Sequence, residues 1–172
     1  MWLRSDIMTL RAPEPEDLEL MYAMENDATL WSVGDTLLPY SRYTLRNYLE
    51  QSRQDLFTER QARFVIELSD GDIAGMIDLT AYDPLNSRAE VCIGLLGKYR
   101  GKGIASEALR LLCEYSFRRL HIHQLYAYIG AENAESRNLF TKQGFAEASV
   151  LQDWLRGENG FLDVVLVQKM AE

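Results

Sequence analysis

The sequence predicts a single α+β domain, in which a mixed, mostly antiparallel sheet is flanked by helices. Three observations support this fold class. Alternating apolar runs come in pairs joined by short polar turns, before the middle of the chain and at its end, which indicates antiparallel hairpins. An amphipathic helical pattern separates two strand-like runs in the middle, which indicates a helical crossover. A length of 172 residues suits one core, so residues 1–172 are expected to form one domain.

The N-terminal half is expected to contain one short strand, two helices and one hairpin. The strand lies near residues 9–11. Pro15 suits the first turn of a helix that runs to about residue 27, because the fixed φ and missing N–H of proline are tolerated there. A second helix is expected over residues 42–56, where apolar residues recur at three- and four-residue spacings. The hairpin consists of strands at residues 64–68 and 73–80 and a turn of polar residues at 69–72.

The C-terminal half alternates strands and helices before a closing hairpin. Residues 89–95 are predicted to form a strand with one apolar face and a second face that carries Glu90 and Cys92. Cys92 and Cys113 are both expected to be reduced core residues, because free cysteines are commonly buried. The remaining elements are helices at residues 104–119 and 134–142 and strands at residues 125–129, 146–154 and 161–170.

The net charge of −8 is unevenly distributed, and it restricts the classes of partner. Residues 97–142 carry a net charge of +4, and the rest of the chain carries −12. General nucleic-acid binding needs a basic surface, so nucleic acid is not an expected partner. The basic segment suits a phosphorylated ligand, and the acidic remainder can attract a cation.

No targeting segment and no metal-binding pattern is recognisable. The longest aliphatic run, residues 164–167, is far shorter than the roughly 18 apolar residues of a membrane span. The first six residues include an acid and a base where a secretory signal needs an apolar stretch, so a cytoplasmic location without membrane association is expected. Two cysteines are too few for a disulfide framework. His121 and His123 have no third ligand nearby in the sequence, so no metal is expected.

A basic glycine loop follows the strand at residues 89–95 and precedes the helix at residues 104–119. Gly101 and Gly103 allow a ligand to approach the backbone, and several backbone N–H groups converge with the positive end of the helix, so phosphate is the expected ligand. A flexible turn without a ligand is the alternative. A dinucleotide-binding loop needs a third glycine, but Ser106 follows instead, and a Walker loop needs Ser or Thr where Gly103 stands. Both of those sites are disfavoured.

Two motifs, about one strand–helix unit apart, carry a resemblance to a known family. They are Arg100-x-x-Gly103-x-Ala105 and, further on, Asn133-x-x-Ser136 with Lys142-Gln143-Gly144-Phe145. In this pairing the chain resembles the GNAT superfamily of acetyl-CoA-dependent N-acetyltransferases, over almost its whole length. The layout is most similar to the spermidine N-acetyltransferases and to the N-terminal acetyltransferases of ribosomal proteins.

The resemblance implies a fold, a co-substrate and a reaction. The fold is the three-layer α/β arrangement of the family around its central mixed sheet. Acetyl-CoA is the co-substrate, and its acetyl group moves to a primary amine, expected to belong to a small cationic acceptor such as the polyamines spermidine and spermine. The alternatives are a peptide N-terminus of the ribosomal type and an acyl-CoA sensor without turnover. Whether the chain forms a homo-oligomer stays open.

The resemblance also assigns residues to the co-substrate. Pantetheine would lie in the cleft where the strand at residues 89–95 splays from the strand at residues 125–129. Gly94 is either a bulge that starts the splay or a packing glycine. Asn133 would hydrogen-bond the cofactor arm, and it can also cap its helix. The implied cofactor-binding residues are Ile93, Gly94, Leu95, Arg100, Gly101, Lys102, Gly103, Ile104, Ala105, Ser106, Asn133 and Ser136.

The implied catalytic residues are Glu90 and Ser136. An alkylamine with a pKa of about 10.4 is almost entirely protonated at pH 7, so the reaction needs a base, and the family often places a glutamate at the Glu90 position. A solvent-facing strand residue is the alternative, and Asp78 and Asp83 are weaker candidates for the base. Many relatives carry a tyrosine as the acid where this chain has Phe140. Ser136, one turn earlier, either donates to the leaving sulfur instead or is an ordinary helix serine.

Acceptor specificity is expected to depend on three variable loops, at residues 29–42, 81–88 and 153–160. Trp31 and Tyr40 belong to the first of these loops. Each either shapes the acceptor site or packs without a functional role.

Overall fold

Seven strands and five α-helices make up the part of the chain that the structure, a computed structural model, describes, namely residues 2–27, 38–53, 55–157 and 159–172. The strands are β1 (Met8–Arg11), β2 (Ala62–Leu68), β3 (Ile73–Asp83), β4 (Arg88–Leu95), β5 (Gln124–Gly130), β6 (Ala146–Gly157) and β7 (Gly160–Met170). The helices are α1 (Leu18–Glu25), α2 (Arg42–Gln51), α3 (Leu56–Glu59), α4 (Ile104–Arg118) and α5 (Ala134–Lys142), and single 3₁₀ turns span Pro15–Asp17 and Gly97–Tyr99.

The strands form one sheet in the order β1-β2-β3-β4-β5-β7-β6. Neighbouring strands are antiparallel except for β4 and β5, which run parallel. Helix α4 forms the crossover between these two strands, because a parallel connection is too long for a tight turn. The predicted class, a mixed and mostly antiparallel sheet flanked by helices, is confirmed.

The two faces of the sheet bury different helices, because side chains alternate along each strand. On one face, α4 packs against a core that includes Ile77, Ala89 and Leu125, each with 0% exposure. On the other face, α1 and α2 cover Val65 and Met76 in a smaller cluster. The even-numbered residues of β3 and β4, which include the predicted base, share this second face with Met76.

Strands β4 and β5 pair only at their first residues, and the register ends where Glu90 lies opposite Tyr126. Beyond this point the strands diverge. The prediction of a bulge at Gly94 is wrong, because Gly94 pairs in regular register with Met76 of β3. The tight packing lies at Gly75, where an added Cβ would come within 2.1 Å of the carbonyl oxygen of Gly94. The splay therefore begins where the parallel pairing stops.

The helix expected over residues 42–56 consists of two helices. Helix α2 ends before Ser52, whose backbone is extended with ψ 126°. Asp55 then starts α3, and its carboxylate accepts the N–H of Phe57 at 3.0 Å. Aspartate favours a helix N-terminus over a helix interior, so the apolar spacing alone overestimated the length of this helix.

Helix α1 is anchored to the sheet through a charged contact at its start. Arg11 of β1 donates to both carboxylate oxygens of Asp17, at 2.7 and 3.0 Å, and the N–H of Glu14 donates to the same carboxylate at 2.7 Å. Burial opposes the charge of Asp17, but the hydrogen bonds from Arg11 and Glu14 hold its pKa below the usual value. This anchor fixes the direction of α1, whose last residue, Glu25, reaches the cleft described next.

Candidate functional site

A cleft of about 810 Å³ opens where β4 and β5 diverge. Its walls come from β2, β3, β4, β5, the glycine loop with the N-terminus of α4, helix α5 and the end of α1, so it connects the two faces of the sheet. Except for Lys102, all of the residues expected to bind the co-substrate or to act in catalysis line this cleft: Glu90, Ile93, Gly94, Leu95, Arg100, Gly101, Gly103, Ile104, Ala105, Ser106, Asn133 and Ser136.

The glycine loop has the geometry of an anion cradle. Gly101 and Gly103 have φ values of +71° and +80°, which side chains rarely adopt, and an added Cβ at either position would meet only open space. Helix α4 begins directly after Gly103, so its first unpaired N–H groups and the positive end of its dipole lie at the cleft. The residues present therefore fit the pyrophosphate of a CoA ester.

The two cations of this loop have different surroundings. Arg100 lines the cleft, and its Nε donates to the carbonyl oxygen of Leu95 at 3.3 Å, which ties the loop to the end of β4. Lys102 is exposed, and its Nζ lies 5.9 Å from the ring centroid of Tyr99. The ring of Tyr99 is buried, and its hydroxyl donates to Asp72 at 2.5 Å. In this position Lys102 does not line the cleft.

Helix α5 contributes a cap and one hydroxyl to the cleft. The side-chain oxygen of Asn133 accepts the N–H of Ser136 at 3.0 Å, so the capping role of Asn133 is present alongside its place in the cleft wall. Phe140 is buried edge-on against Phe145, at 4.9 Å between ring centroids. Because Phe140 has no hydroxyl, Ser136 is the hydroxyl residue of this helix that lines the cleft.

A side-chain hydrogen bond joins the two helices that hold the co-substrate residues. The side-chain N–H of Gln143 donates to the hydroxyl of Ser106 at 2.7 Å. The backbone carbonyl of Gln143 accepts from the Lys169 ammonium at 2.6 Å. The start of α4 and the end of α5 are therefore linked to each other and to β7.

The opposite side of the cleft carries carboxylates. Glu90 lies 4.0 Å from the sulfur of Cys92, which in turn lies 3.8 Å from the hydroxyl of Thr80. Asp78 pairs with Cys92 across β3 and β4, so its side chain shares this face of the sheet. Glu25 reaches the same cleft from α1. The acceptor side, defined as Glu25, Arg63, Asp78, Glu90, Cys92 and Tyr128, therefore contains three carboxylates and one guanidinium.

Arg63 bridges two of these carboxylates. Its Nη2 donates to Glu25 and lies 3.1 Å from Asp78, and all three side chains are at most 20% exposed. Burial opposes the positive charge, but Asp78 and Glu25 together hold the pKa of Arg63 above its usual value. Burial raises the pKa of Asp78 more than the single guanidinium lowers it, and the nearby Glu25 adds to this rise. One oxygen of Asp78 is buried without a hydrogen-bond partner.

The expectation that Cys92 is a buried core residue is wrong, because Cys92 is exposed in the cleft. Cys113 is buried, as predicted. The even-numbered positions of β4 face the acceptor side rather than the core beneath α4. Although Cys92 is open to the cleft, the protein atoms around its sulfur partly desolvate it, and this desolvation, together with Glu90 and Asp78, raises the pKa of the Cys92 thiol to about 12. The side chain is therefore a neutral thiol at pH 7 and lacks the thiolate that nucleophilic catalysis requires.

Several other candidate residues lie outside the cleft. The Asp83 carboxylate accepts from the backbone and side-chain N–H groups of Asn86, at 3.0 and 2.7 Å, so it stabilises the turn between β3 and β4. Tyr40 does not line the cleft, and Trp31 falls outside the described residues. His121 and His123 are exposed. Across the described ranges, no group of three or more His, Cys, Asp or Glu side chains could hold a metal ion.

Sequence reasoning did not identify Glu25, Arg63 or Tyr128 as residues of the cleft. A usable signal was present for Arg63, because it precedes the apolar run Phe64–Ile66 and lies opposite the charged Asp78 in the hairpin register. A charge at such a position needs a partner on the neighbouring strand. No comparable signal existed for Glu25 and Tyr128, since their places depend on how α1 and β5 pack.

Comparison with known proteins reveals similarity over most of the chain. Residues 8–146 match the family described as an acetyltransferase (GNAT) domain. The spermidine N(1)-acetyltransferase of Escherichia coli (strain K12) is 30% identical over 137 residues, which cover 80% of this chain and 72% of that protein. The putative ribosomal N-acetyltransferase YdaF of Bacillus subtilis (strain 168) is 33% identical over 154 residues, which cover 86% and 82% of the two chains.

Solved structures with the same fold include a spermidine N-acetyltransferase. The crystal structure of spermidine N-acetyltransferase from Vibrio cholerae in complex with CoA and spermine superposes with a TM-score of 0.86. It is 25% identical in sequence, and the match covers 95% of both chains.

Within the described residues, no helix is long and apolar enough to span a membrane.

Proposed function

Since this chain belongs to the acetyltransferase (GNAT) family and is an acetyl-CoA-dependent N-acetyltransferase, we propose that its acceptor is a linear aliphatic polyamine. The observation that carries this proposal is the acceptor side of the cleft. Its three carboxylates exceed its single guanidinium, which is already paired with two of them. Such a surface favours an acceptor with positive charge. The cytoplasmic location expected from the sequence is part of this proposal.

The co-substrate supplies the acetyl group as a thioester. We assign its pyrophosphate to the N–H groups at Gly101, Gly103 and the start of α4, and its pantetheine arm to the backbone of residues 93–95. Asn133 lines the same cleft and is assigned to the arm of the co-substrate. Gly101 and Gly103 support this assignment because their missing Cβ atoms leave open space for a ligand.

We assign the role of base to Glu90. Its carboxylate lies in the cleft, at the last position of β4 that pairs with β5 before the two strands diverge. The attacking amine must lose a proton before its lone pair can form the new C–N bond, and a carboxylate can take that proton directly or through one water. Asp78 is the second candidate, and Asp83 is removed from consideration because it lies in the β3–β4 turn.

We assign to Ser136 the hydrogen bond to the leaving sulfur. When the C–S bond breaks, negative charge develops on sulfur, and a nearby hydroxyl can stabilise or protonate it. Ser136 lines the cleft one helical turn before Phe140, the position where a tyrosine would stand in many relatives. A thiol is a better leaving group than an alcohol or an amine, so one weak donor suffices.

Steady-state kinetics with a panel of amines test the proposed acceptor. Acetyl-CoA is combined with spermidine, spermine, an aminoglycoside and peptides with ribosomal-protein N-termini, and CoA release is followed with a thiol reagent while products are identified by mass spectrometry. We expect the highest kcat/KM for spermidine or spermine. Higher kcat/KM for the peptides would replace the proposed acceptor, and absence of acetyl transfer to any amine would contradict turnover.

A second candidate acceptor is a peptide N-terminus. The observation that favours it is the pairing of Ser136 with Phe140 in α5, which resembles the ribosomal branch, together with the 33% identity to the ribosomal-type relative. A sensor without turnover is the remaining alternative. It would bind acetyl-CoA without releasing CoA, whereas a Ser136→Ala variant with a lower rate and unchanged CoA affinity would exclude it.

A further inference from the structure

Three aromatic side chains continue the acceptor side away from the carboxylates. We call Tyr126, Tyr128 and Trp154 the aromatic row. Tyr128 lines the cleft, and its ring stacks on Trp154 at 6.0 Å between centroids and 22° between planes. Tyr126 contacts Tyr128 edge-on at 5.7 Å and lies opposite Glu90 in the β4–β5 register. The row therefore begins beside the proposed base and ends at Trp154.

The position of Trp154 is set by irregular backbone in the closing hairpin. The register of β6 against β7 shifts between Leu151 and Leu155, so three residues of β6 lie opposite Asp163. Asp153 has a φ of +51°, and its N–H donates to the carboxylate of Asp163 at 2.9 Å. Bulges of this kind re-aim side chains and are common next to active sites. The hairpin departs from regular pairing where Trp154 is placed on Tyr128.

The surface of the row suits a cation with an apolar chain. Trp154 remains 55% exposed despite its stacking on Tyr128. The faces of Trp and Tyr rings attract ammonium groups, and their carbon surfaces accept methylene groups. Burial and the neighbouring Glu90 raise the pKa of Tyr126, which is consistent with a carboxylate close to the start of the row. Within the described residues, no lysine or arginine side chain lies over any of these three rings.

We propose that the aromatic row is a second acceptor subsite, which holds the methylene chain and the distal ammonium of a linear polyamine while the reacting amine lies at Glu90. This inference rests on the proposed function and adds a chain-length preference to it. A monoamine reaches only the carboxylates, whereas a longer polyamine contacts the carboxylates and the rings together. The row, rather than the reacting end, therefore distinguishes spermidine from a short amine.

The test compares Trp154→Ala with Phe161→Ala. Phe161 is a matched control because it is an exposed aromatic residue on the same hairpin, with Arg156 rather than Tyr128 near its ring. Spermidine and propylamine are titrated into the CoA-loaded protein by calorimetry, and both are used as acceptors in steady-state assays. For Trp154→Ala we expect the Kd and KM of spermidine to rise about 5- to 20-fold. The values for propylamine and the kcat should stay within about twofold.

Additional variants keep the outcome interpretable. Trp154→Phe retains a ring and should restore most of the affinity for spermidine. Tyr128→Leu removes the stacking partner of Trp154 and should raise the Kd of spermidine at least as much as Trp154→Ala does. Equal weakening of spermidine and propylamine, or an unchanged Kd for spermidine in Trp154→Ala, would overturn the proposed subsite. Failure of the polyamine proposal itself can be told apart from failure of the second subsite. If spermidine is not an acceptor, the unaltered protein releases no CoA with spermidine, whether or not spermidine binds in the titrations.

Discussion

At the scale of single residues, the carboxylates of the cleft have distinct surroundings and therefore distinct roles. Glu90 lies beside a neutral thiol at the point where two strands separate. Asp78 lies on the same face of the sheet, paired with the guanidinium of Arg63. Asp83, which is nearer to Glu90 in sequence, accepts hydrogen bonds from Asn86 at the β3–β4 turn, and these bonds lower its pKa. The proposed chemistry at the acceptor end therefore involves Glu90 and Asp78, and two substitutions separate their contributions.

Glu90→Gln tests the proposed base. Glutamine keeps the size of the side chain but cannot accept the proton of the amine, so we expect kcat to fall about 100-fold or more. Asp83→Asn is the matched control, since it neutralises a carboxylate of the same strand region outside the cleft. CoA release measured with spermidine distinguishes the two variants. A Glu90→Gln enzyme within about threefold of the unaltered rate would exclude Glu90 as the base.

Asp78→Asn tests whether a buried carboxylate is kept for function at a cost in stability. Because the native pKa of Asp78 lies above its unfolded value, its ionised form destabilises the fold once the pH exceeds the unfolded pKa of about 3.9. Asparagine resembles the protonated form. The variant should therefore match the natural protein near pH 4 and be equally or more stable at pH 7, while kcat/KM for spermidine falls about tenfold.

Urea unfolding between pH 4 and pH 7 measures this difference directly. As the pH rises from 4 to 7, we expect the free energy of unfolding of Asp78→Asn to increase relative to that of the natural protein. The opposite trend would mean that the ion pair with Arg63 stabilises the fold more than burial of Asp78 destabilises it. Asp78 would then be a structural residue.

At the scale of elements, the glycine loop and the start of α4 form the part of the site that depends least on distant residues. The strand before it, the two glycines with positive φ and the helix after it are all local in sequence. This locality allowed the motif to predict the loop, whereas the cleft residues of β4 and α5 were implied by the resemblance to the family. The bounds of α5 were predicted without error for the same reason, because Asn133 caps its start.

Gly103→Ala tests the anion cradle. At a φ of +80°, alanine is strained and costs about 1 kcal/mol of stability, and its methyl group would occupy open space at the cleft. We expect the Kd of CoA to rise at least about tenfold as N–H contacts with the phosphates are lost. Gly71→Ala is a matched control, since Gly71 has a φ of +89° and open space around it in the β2–β3 turn. It should lose similar stability with unchanged CoA affinity.

Other features of these elements depend on packing and could not be predicted from local pattern. The break between α2 and α3 follows from competition between the apolar spacing and the capping preference of Asp55. The placement of Cys92 in the cleft follows from which face of β4 meets α4. The arrangement of Glu25 with Arg63 requires α1 to lie across β2 and β3, and nothing in either local sequence specifies that contact.

At the scale of the whole molecule, the net charge of −8 combines a basic segment and an acidic remainder. Two cations of the basic segment are paired within α4, where Arg110 contacts Glu107 and Glu114, and Arg118 contacts Glu114. Arg100 and Lys142 line the co-substrate side of the cleft together with the acid Glu135. The acidic remainder supplies a long-range field that attracts cations.

Ionic strength tests this contribution of the whole charge. As NaCl rises from about 20 mM to about 300 mM, screening should lower kcat/KM for spermidine several-fold. The effect on propylamine should be smaller, because it carries one positive charge rather than three. Equal salt dependence for the two amines would show that the protein attracts its acceptor through local contacts alone.

A competition measurement separates acetyl transfer to a polyamine from transfer to a peptide N-terminus. The protein is given acetyl-CoA with equal concentrations of spermidine and a peptide that carries a ribosomal-protein N-terminus, and the products are quantified by mass spectrometry at low conversion. We predict that monoacetylated spermidine predominates and matches the CoA released. Predominant acetylation of the peptide, or CoA release without an acetylated amine, would contradict it.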